Sequence, residues 1–160
     1  MGKALDDRAL VLVQIGAMKR LAETGDDIPD LYFALTTQEE VGCRGVRAAA
    51  YTINPDSAVA LDITITNDIP GILSNKNVVE LDKRPAIKLM DRLATSHMRM
   101  ISAPSIVVRR TPRPSIWSGE ECYRGDPAPT RYVHAREVIS GKDMAAMIRL
   151  LVHYLRSLGD

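Results

Sequence analysis

The sequence predicts an α/β fold, a central mixed and largely parallel sheet flanked by helices, and three observations predict it. Residues 31–45, LYFALTTQEEVGCRG, pass from an apolar run to a polar tip and then into the helix formers of residues 46–51. Residues 57–62, SAVALD, form a second apolar run that ends in a carboxylate. Residues 8–23 and the segment after Ser140 place apolar side chains at the 3.6-residue period of amphipathic helices. A buried strand, a helix and a second buried strand make a right-handed parallel crossover. Both strand tips then lie on one edge of the sheet, the edge at which open α/β sheets bind ligands.

The chain has 160 residues, the length of a single domain with a real core. Its hydrophobic fraction is 46% and its charged fraction 26%, an ordinary globular balance. The net charge of +1 gives no reason to expect a nucleic acid or an anionic membrane as partner. No apolar run reaches the ~18 residues of a membrane span, and residues 1–10 lack a signal-peptide core. Cys43 and Cys122 stand far apart and form no CxxC pair, which fits a reducing cytosol and a cytoplasmic location.

In chain order, residues 2–8 are a polar turn that runs into the first helix. That helix carries Leu10, Val13, Met18 and Leu21 on one face, widened by Leu12 and Ile15, and Gly25 and Pro29 end it. Residues 31–36 are the first strand, residues 46–51 a short helix, Asn54-Pro55-Asp56 a turn and residues 57–62 the second strand. Residues 64–84 are polar and turn-rich, the pattern of a long loop. Residues 85–90 suggest a short strand and residues 91–100 the start of a helix. Residues 102–129 show neither period. Arg109-Arg110, Pro104, Pro112, Pro114, Pro127 and Pro129 give them an irregular texture. Residues 131–134 form a short strand. Ser140-Gly141-Lys142-Asp143 resembles a capping box with Asp in place of Glu. It opens a helix with Met144, Met147, Ile148, Leu151 and Leu155 on one face. His97 and His153 are given no role.

Chemistry-bearing side chains fall at the predicted tips: Asp6 at a helix start, Glu39 and Glu40 after the first strand, Asp62 after the second and His134 after the third. Carboxylates with an imidazole suit a borderline divalent metal such as zinc or cobalt. A bridging carboxylate could hold two ions, as in two-metal hydrolases. The alternative is that these acids only cap helices and complement their dipoles in a non-catalytic α/β binding module.

Four motifs, LDDR, TTQEEVGCRG, INPDSAVALDITITND and TRYVHAREV, in this order, resemble the catalytic half of the dinuclear-metal aminopeptidases. That family includes the TET and glutamyl aminopeptidases and proteins once labelled cellulase M. The resemblance covers residues 1–100 and 130–160, and implies a three-layer zinc-peptidase-like fold present only in part. It implies Asp6 as the bridging metal ligand, Glu40 and His134 as ligands of one ion, Asp62 as a ligand of the other, and Glu39 as the general base. It also implies two divalent ions, zinc or cobalt, peptide substrates cleaved at their N-termini, and a self-assembling homo-oligomer.

Two departures go with the resemblance. The family carries a part ahead of the LDDR segment that supplies another metal-binding histidine and the oligomerisation domain. No histidine precedes His97 here, so residues 1–160 make a partial catalytic domain with one metal site short of a ligand. The family also has a segment like TDAAAIHL where residues 102–129 lie. One permitted set of codons for residues 110–122, read in an overlapping frame, gives Asp-Ala-Ala-Ala-Ile-His-Leu-Glu-Arg-Gly-Gly-Val. The expectation is a stretch translated out of frame, and an inactive remnant of such an enzyme as the alternative function.

Overall fold

The computed structural model describes residues 1–25, 30–55, 57–73, 79–86, 105–110, 122–134 and 136–158. They form three helices, α1 (Leu5–Thr24), α2 (Arg44–Ile53) and α3 (Gly141–Arg156). Five strands accompany them: β1 (Asp30–Leu35), β2 (Ser57–Ile65), β3 (Ser105–Arg110), β4 (Cys122–Arg131) and β5 (Val138–Ile139). The strands make one mixed sheet in the order β1-β3-β2-β4-β5. β2 and β4 are parallel, and β3 is antiparallel to both β1 and β2. β1, β2 and β4 therefore run the same way, with β3 and β5 opposed.

Period two along the strands decides the layering. Val59, Leu61 and Ile63 of β2, with Leu31 and Phe33 of β1, join the core of α1 and α3. The alternate residues Ala34 and Ala58 meet Cys43 and Val46 of the α2 segment on the opposite face. The result is helix, sheet, helix, the α/β architecture the sequence predicts. On the α1–α3 side, Leu10, Val13, Met147, Leu151 and Leu155 are essentially fully buried. Gly16 lets the two helices approach closely: a Cβ there would lie 2.6 Å from the Ile148 side chain. Both helices form where the apolar period places them, but the buried face of α1 is narrower than expected: Leu10, Val13 and Leu21 are buried with Ala9 and Ala17, whereas Leu12, Ile15 and Met18 are exposed. Ser140 caps α3 as its sequence suggests. Its Oγ accepts from the backbone N–H groups of Lys142 at 3.1 Å and Asp143 at 3.4 Å. Asp143 does not close a capping box. Its carboxylate instead accepts the Asp82 N–H at 2.8 Å, while Asp82 takes the Ser140 hydroxyl and the Lys142 ammonium.

β1 and β2, joined through α2, run parallel as the strand–helix–strand pattern predicts, with β3 between them in the sheet. Other expectations are corrected. Residues 102–129 are not irregular throughout: Ser105–Arg110 and Cys122–Arg131 are strands. Pro104 and Pro112 flank β3 rather than interrupt it. Pro127 and Pro129 sit inside β4, in register with Asp62 and Thr64 of β2; among the described residues β5 pairs with Thr130 and Arg131 of β4. β2 continues past Asp62 to Ile65, which places Asp62 inside the strand. β4 ends at Arg131, so His134 lies in the turn beyond it. Of the strand expected at 85–90, Pro85 and Ala86 are irregular and the remainder lies outside the described residues. The helix expected from Asp91, with His97, also lies outside them.

The loop after β2 is fastened to the far strand. Thr66 N–H donates to the Thr130 carbonyl at 3.0 Å. Asp68 takes a two-pronged contact from Arg131, Nε at 3.1 Å and Nη2 at 2.6 Å, and the Leu81 N–H at 3.0 Å. The Arg131 guanidinium holds the Asp68 carboxyl well below the usual carboxylate range.

Candidate metal centre

Three segments far apart in sequence meet at one edge of the molecule. The first is the start of α1, entered through Ala4 in the left-handed region (φ 53°), with Asp6 and Asp7 in its first turn. The second is the turn between β1 and α2. Its backbone N–H groups at Gly42, Cys43, Arg44 and Gly45 donate to carbonyls of Glu39, Glu39, Gln38 and Thr37, at 2.9–3.2 Å. This compact turn needs positive φ at Gln38, Gly42 and Cys43, and Gly42, at φ 110°, adopts a value glycine tolerates best. The third is the turn after β4, where Tyr132 and His134 both have positive φ.

One ligand atom each from Asp6, Glu40 and His134 lies within 4.8 Å of the other two. His134 Nε2 is 2.7 Å from Glu40 Oε1 and 3.1 Å from Asp6 Oδ2. These carboxylates, Glu40 first, raise the imidazole above its ordinary value. Burial, with Glu40 close by, raises Asp6. Glu39 is half-buried beside the triad. Its Oε1 faces the Cys43 Sγ–H at 3.7 Å, and burial followed by Glu40 raises its carboxyl. Asp7 is strongly perturbed: burial first, then Asp62, Asp6 and Glu39, push its carboxyl up to about 9.

Of the five residues predicted from sequence, Asp6, Glu40 and His134 come together and Glu39 flanks them. Asp62 is not one of the three residues that meet within 4.8 Å; its charge acts on Asp7 and Cys43, and its Oδ1 accepts the Ile63 N–H at 2.7 Å. Sequence reasoning missed two participants. Asp7 lies within the LDDR motif but was assigned no part in the site. Glu137, three residues after His134, is 2% exposed. Its Oε2 accepts the N–H groups of Leu5 and Asp6, and its Oε1 that of His134. Nothing in the pattern of a strand edge marks such a carboxylate as buried.

The donor chemistry fits a divalent ion. Six carboxylates, Asp6, Asp7, Glu39, Glu40, Asp62 and Glu137, and the His134 imidazole lie close enough to act on one another, and burial followed by mutual repulsion raises Asp6, Asp7 and Glu39, which a cation would relieve. Two carboxylates with one imidazole are a ligand set that zinc and its neighbours accept, with room for water in a fourth position. A cleft of about 410 Å³ lies elsewhere, between the C-terminal parts of α1 and α3, lined by Arg20, Arg149 and Arg156. It holds none of these residues. Among the described residues no helix is long and apolar enough to cross a membrane.

A profile described as M42 glutamyl aminopeptidase matches residues 1–105. A relative from Acetivibrio thermocellus that carries an aminopeptidase name is 34% identical over 169 residues, covering 95% of this chain and 50% of its own. The lysyl aminopeptidase of Pyrococcus furiosus is 28% identical over 170 residues, 96% of this chain and 47% of its own. Among solved structures, the TET aminopeptidase of a marine-sediment archaeon, Thaumarchaeota archaeon SCGC AB-539-E09, superposes with a TM-score of 0.76 at 25% identity. It is matched over 98% of this chain and 49% of its own. Aminopeptidase APDkam598 of Desulfurococcus kamchatkensis superposes with a TM-score of 0.71 at 25% identity, over 97% of this chain and 48% of its own. PhTET1, described as a dodecamer, shares the fold at 20% identity and a TM-score of 0.65, over 96% of this chain and 49% of its own. The chain thus spans about half the length of the relatives it matches.

Proposed function

The chain belongs to the M42 glutamyl aminopeptidase family, and from that premise we propose that it forms the metal-binding part of an enzyme that removes residues from peptide N-termini. The observation that carries this reading is the convergence of Asp6, Glu40 and His134, from three separate segments, within 4.8 Å. In this proposal Asp6, Glu40 and His134 hold one divalent ion, zinc or cobalt. Asp6 and Asp62 would contribute to holding a second. When bound, such ions lower the pKa of water and polarise the scissile carbonyl.

The chain's own residues do the rest. Glu39 lies beside the triad without belonging to it, as a base must if its oxygens are to stay available. Burial and the neighbouring Glu40 raise its carboxyl above the ordinary range, toward the value at which it both accepts and returns a proton. It takes the proton of the attacking water and delivers it to the leaving amine. His134 Nε2 must give up its proton to act as a ligand, so metal and proton compete for it.

Cytoplasmic location and assembly into a homo-oligomer belong to the same proposal, the latter supported by the dodecameric PhTET1. A second reading is a catalytically silent remnant that binds one ion at Asp6, Glu40 and His134. Release of chromophore from aminoacyl anilides separates the two. The enzyme reading predicts turnover that needs cobalt or zinc and falls about 10²–10⁴-fold in Glu39→Gln, with metal binding retained. The remnant reading predicts metal-dependent stabilisation without turnover. A chain whose melting temperature ignores both metals is neither.

A further inference from the structure

The triad poses a positioning problem. The side chains of His134 and Glu40 are 61% and 64% exposed, so packing does not hold either in place. His134 and Asp6 are 128 residues apart in sequence. The backbone at both places is in a conformation that L residues disfavour, φ 68° at His134 and φ 53° at Ala4, and such strain persists only where the surroundings over-determine it.

We infer that Glu137 is a positioning residue of the metal centre, one buried carboxylate that sets the spacing between the Asp6 and His134 segments. Its two oxygens divide the work. Oε2 accepts the Leu5 N–H and, at 3.1 Å, the Asp6 N–H, while Oε1 accepts the His134 N–H at 3.2 Å. Its main chain adds a second tie, with Gly2 N–H to Glu137 O at 3.0 Å and Glu137 N–H to Gly2 O at 2.9 Å. The carboxylate thus touches the backbone of both ligand segments and neither ligand side chain. Three N–H donors aimed at one buried carboxylate leave no room for a neutral isostere. Glutamine has a single acceptor oxygen, and its NH2 group would oppose an N–H on whichever side it faced. One ligand segment then loses its anchor with no change in side-chain volume.

The inference rests on the metal-centre reading, and the test keeps the two apart. Cobalt is titrated calorimetrically into the metal-free chain for the wild type, Glu137→Gln, Glu137→Asp and Leu151→Ala. Circular dichroism is recorded for each. Both Glu137 variants are expected to bind about 10–100-fold more weakly, the range for lost support of metal ligands. Leu151→Ala, in the α3 core away from the site, lowers the melting temperature but keeps wild-type affinity. If Glu137→Gln does not fold, Glu137→Asp decides. It keeps the charge, but one methylene shorter it cannot reach both segments. Wild-type affinity in the folded Glu137 variants overturns the inference alone. Equal weakening in Leu151→Ala also overturns it, because the effect is then general destabilisation. No binding by the wild type removes the metal centre and the inference with it.

Discussion

Replacing Gly45 by alanine perturbs the turn that presents Glu39 and Glu40, and two opposing effects compete. A Cβ at position 45 would lie 2.5 Å from the Thr37 carbonyl oxygen and 2.7 Å from the Thr37 nitrogen. Ordinary contact begins at 3.4 Å, so the start of α2 and the end of the β1 segment must part by about 0.9 Å. Both obstructing atoms are backbone and cannot rotate away. Overpacking of this kind costs about 1–3 kcal/mol. The Gly45 N–H to Thr37 carbonyl bond, 3.1 Å, stretches as the segments part, at about 1 kcal/mol more. Against this, alanine gains about 1 kcal/mol in helix propensity. The clash wins by roughly 1–3 kcal/mol, a fall in melting temperature of roughly 2–10 °C at this chain length. Differential scanning calorimetry of Gly45→Ala against wild type checks it. Because displacements of about 1 Å can cost about 10²-fold in rate, the proposed peptidase activity falls further than stability alone explains. An unchanged or raised melting temperature would show that helix propensity dominates, and would refute the view that this glycine is there for close approach.

Asp68 supplies a pH test. Its folded-state carboxyl is held low by Arg131, so its stabilisation is present above the unfolded value of about 3.9 and is lost as pH falls through the depressed folded value. Asp68→Asn, worth about 1 kcal/mol or less after solvent screening, should flatten the acid limb of the stability profile and leave its neutral-to-basic shape unchanged. An unaltered acid limb would show the ion pair contributes nothing. Ser140→Ala removes the N-cap of α3 together with the hydroxyl donated to Asp82, and should cost about 1 kcal/mol in urea denaturation. A neutral result would mean that water replaces both bonds. Resequencing the DNA that encodes residues 102–130 tests the proposed frame change. An in-frame segment resembling DAAAIHL is expected, and confirmation of the sequence as given would end that proposal.

The helices and β1 were legible because their apolar periods are long and their stops are explicit, as with Leu10, Val13 and Leu21 before Gly25. β3 was not, because its Ser-Ile-Val-Val-Arg-Arg run is short and sits among prolines that read as breakers. At the site, Asp6, Glu40 and His134 could be named from motif resemblance, since residue type and order survive in sequence. The placement of Asp62 within β2 could not, because strand length depends on the partner β4, which pairs with it as far as Ile65. Glu137 was invisible for another reason. A buried carboxylate is recognised by the N–H groups that surround it, and two of the three, those of Leu5 and Asp6, come from the opposite end of the chain.

Binding of cobalt to the metal-free chain, followed by visible absorption, tests the central claim most directly. Saturable binding that is lost in His134→Ala and in Glu40→Gln, and retained in Glu39→Gln, is the result predicted for a centre built from Asp6, Glu40 and His134. Absence of binding, or binding indifferent to His134 and Glu40, would contradict it.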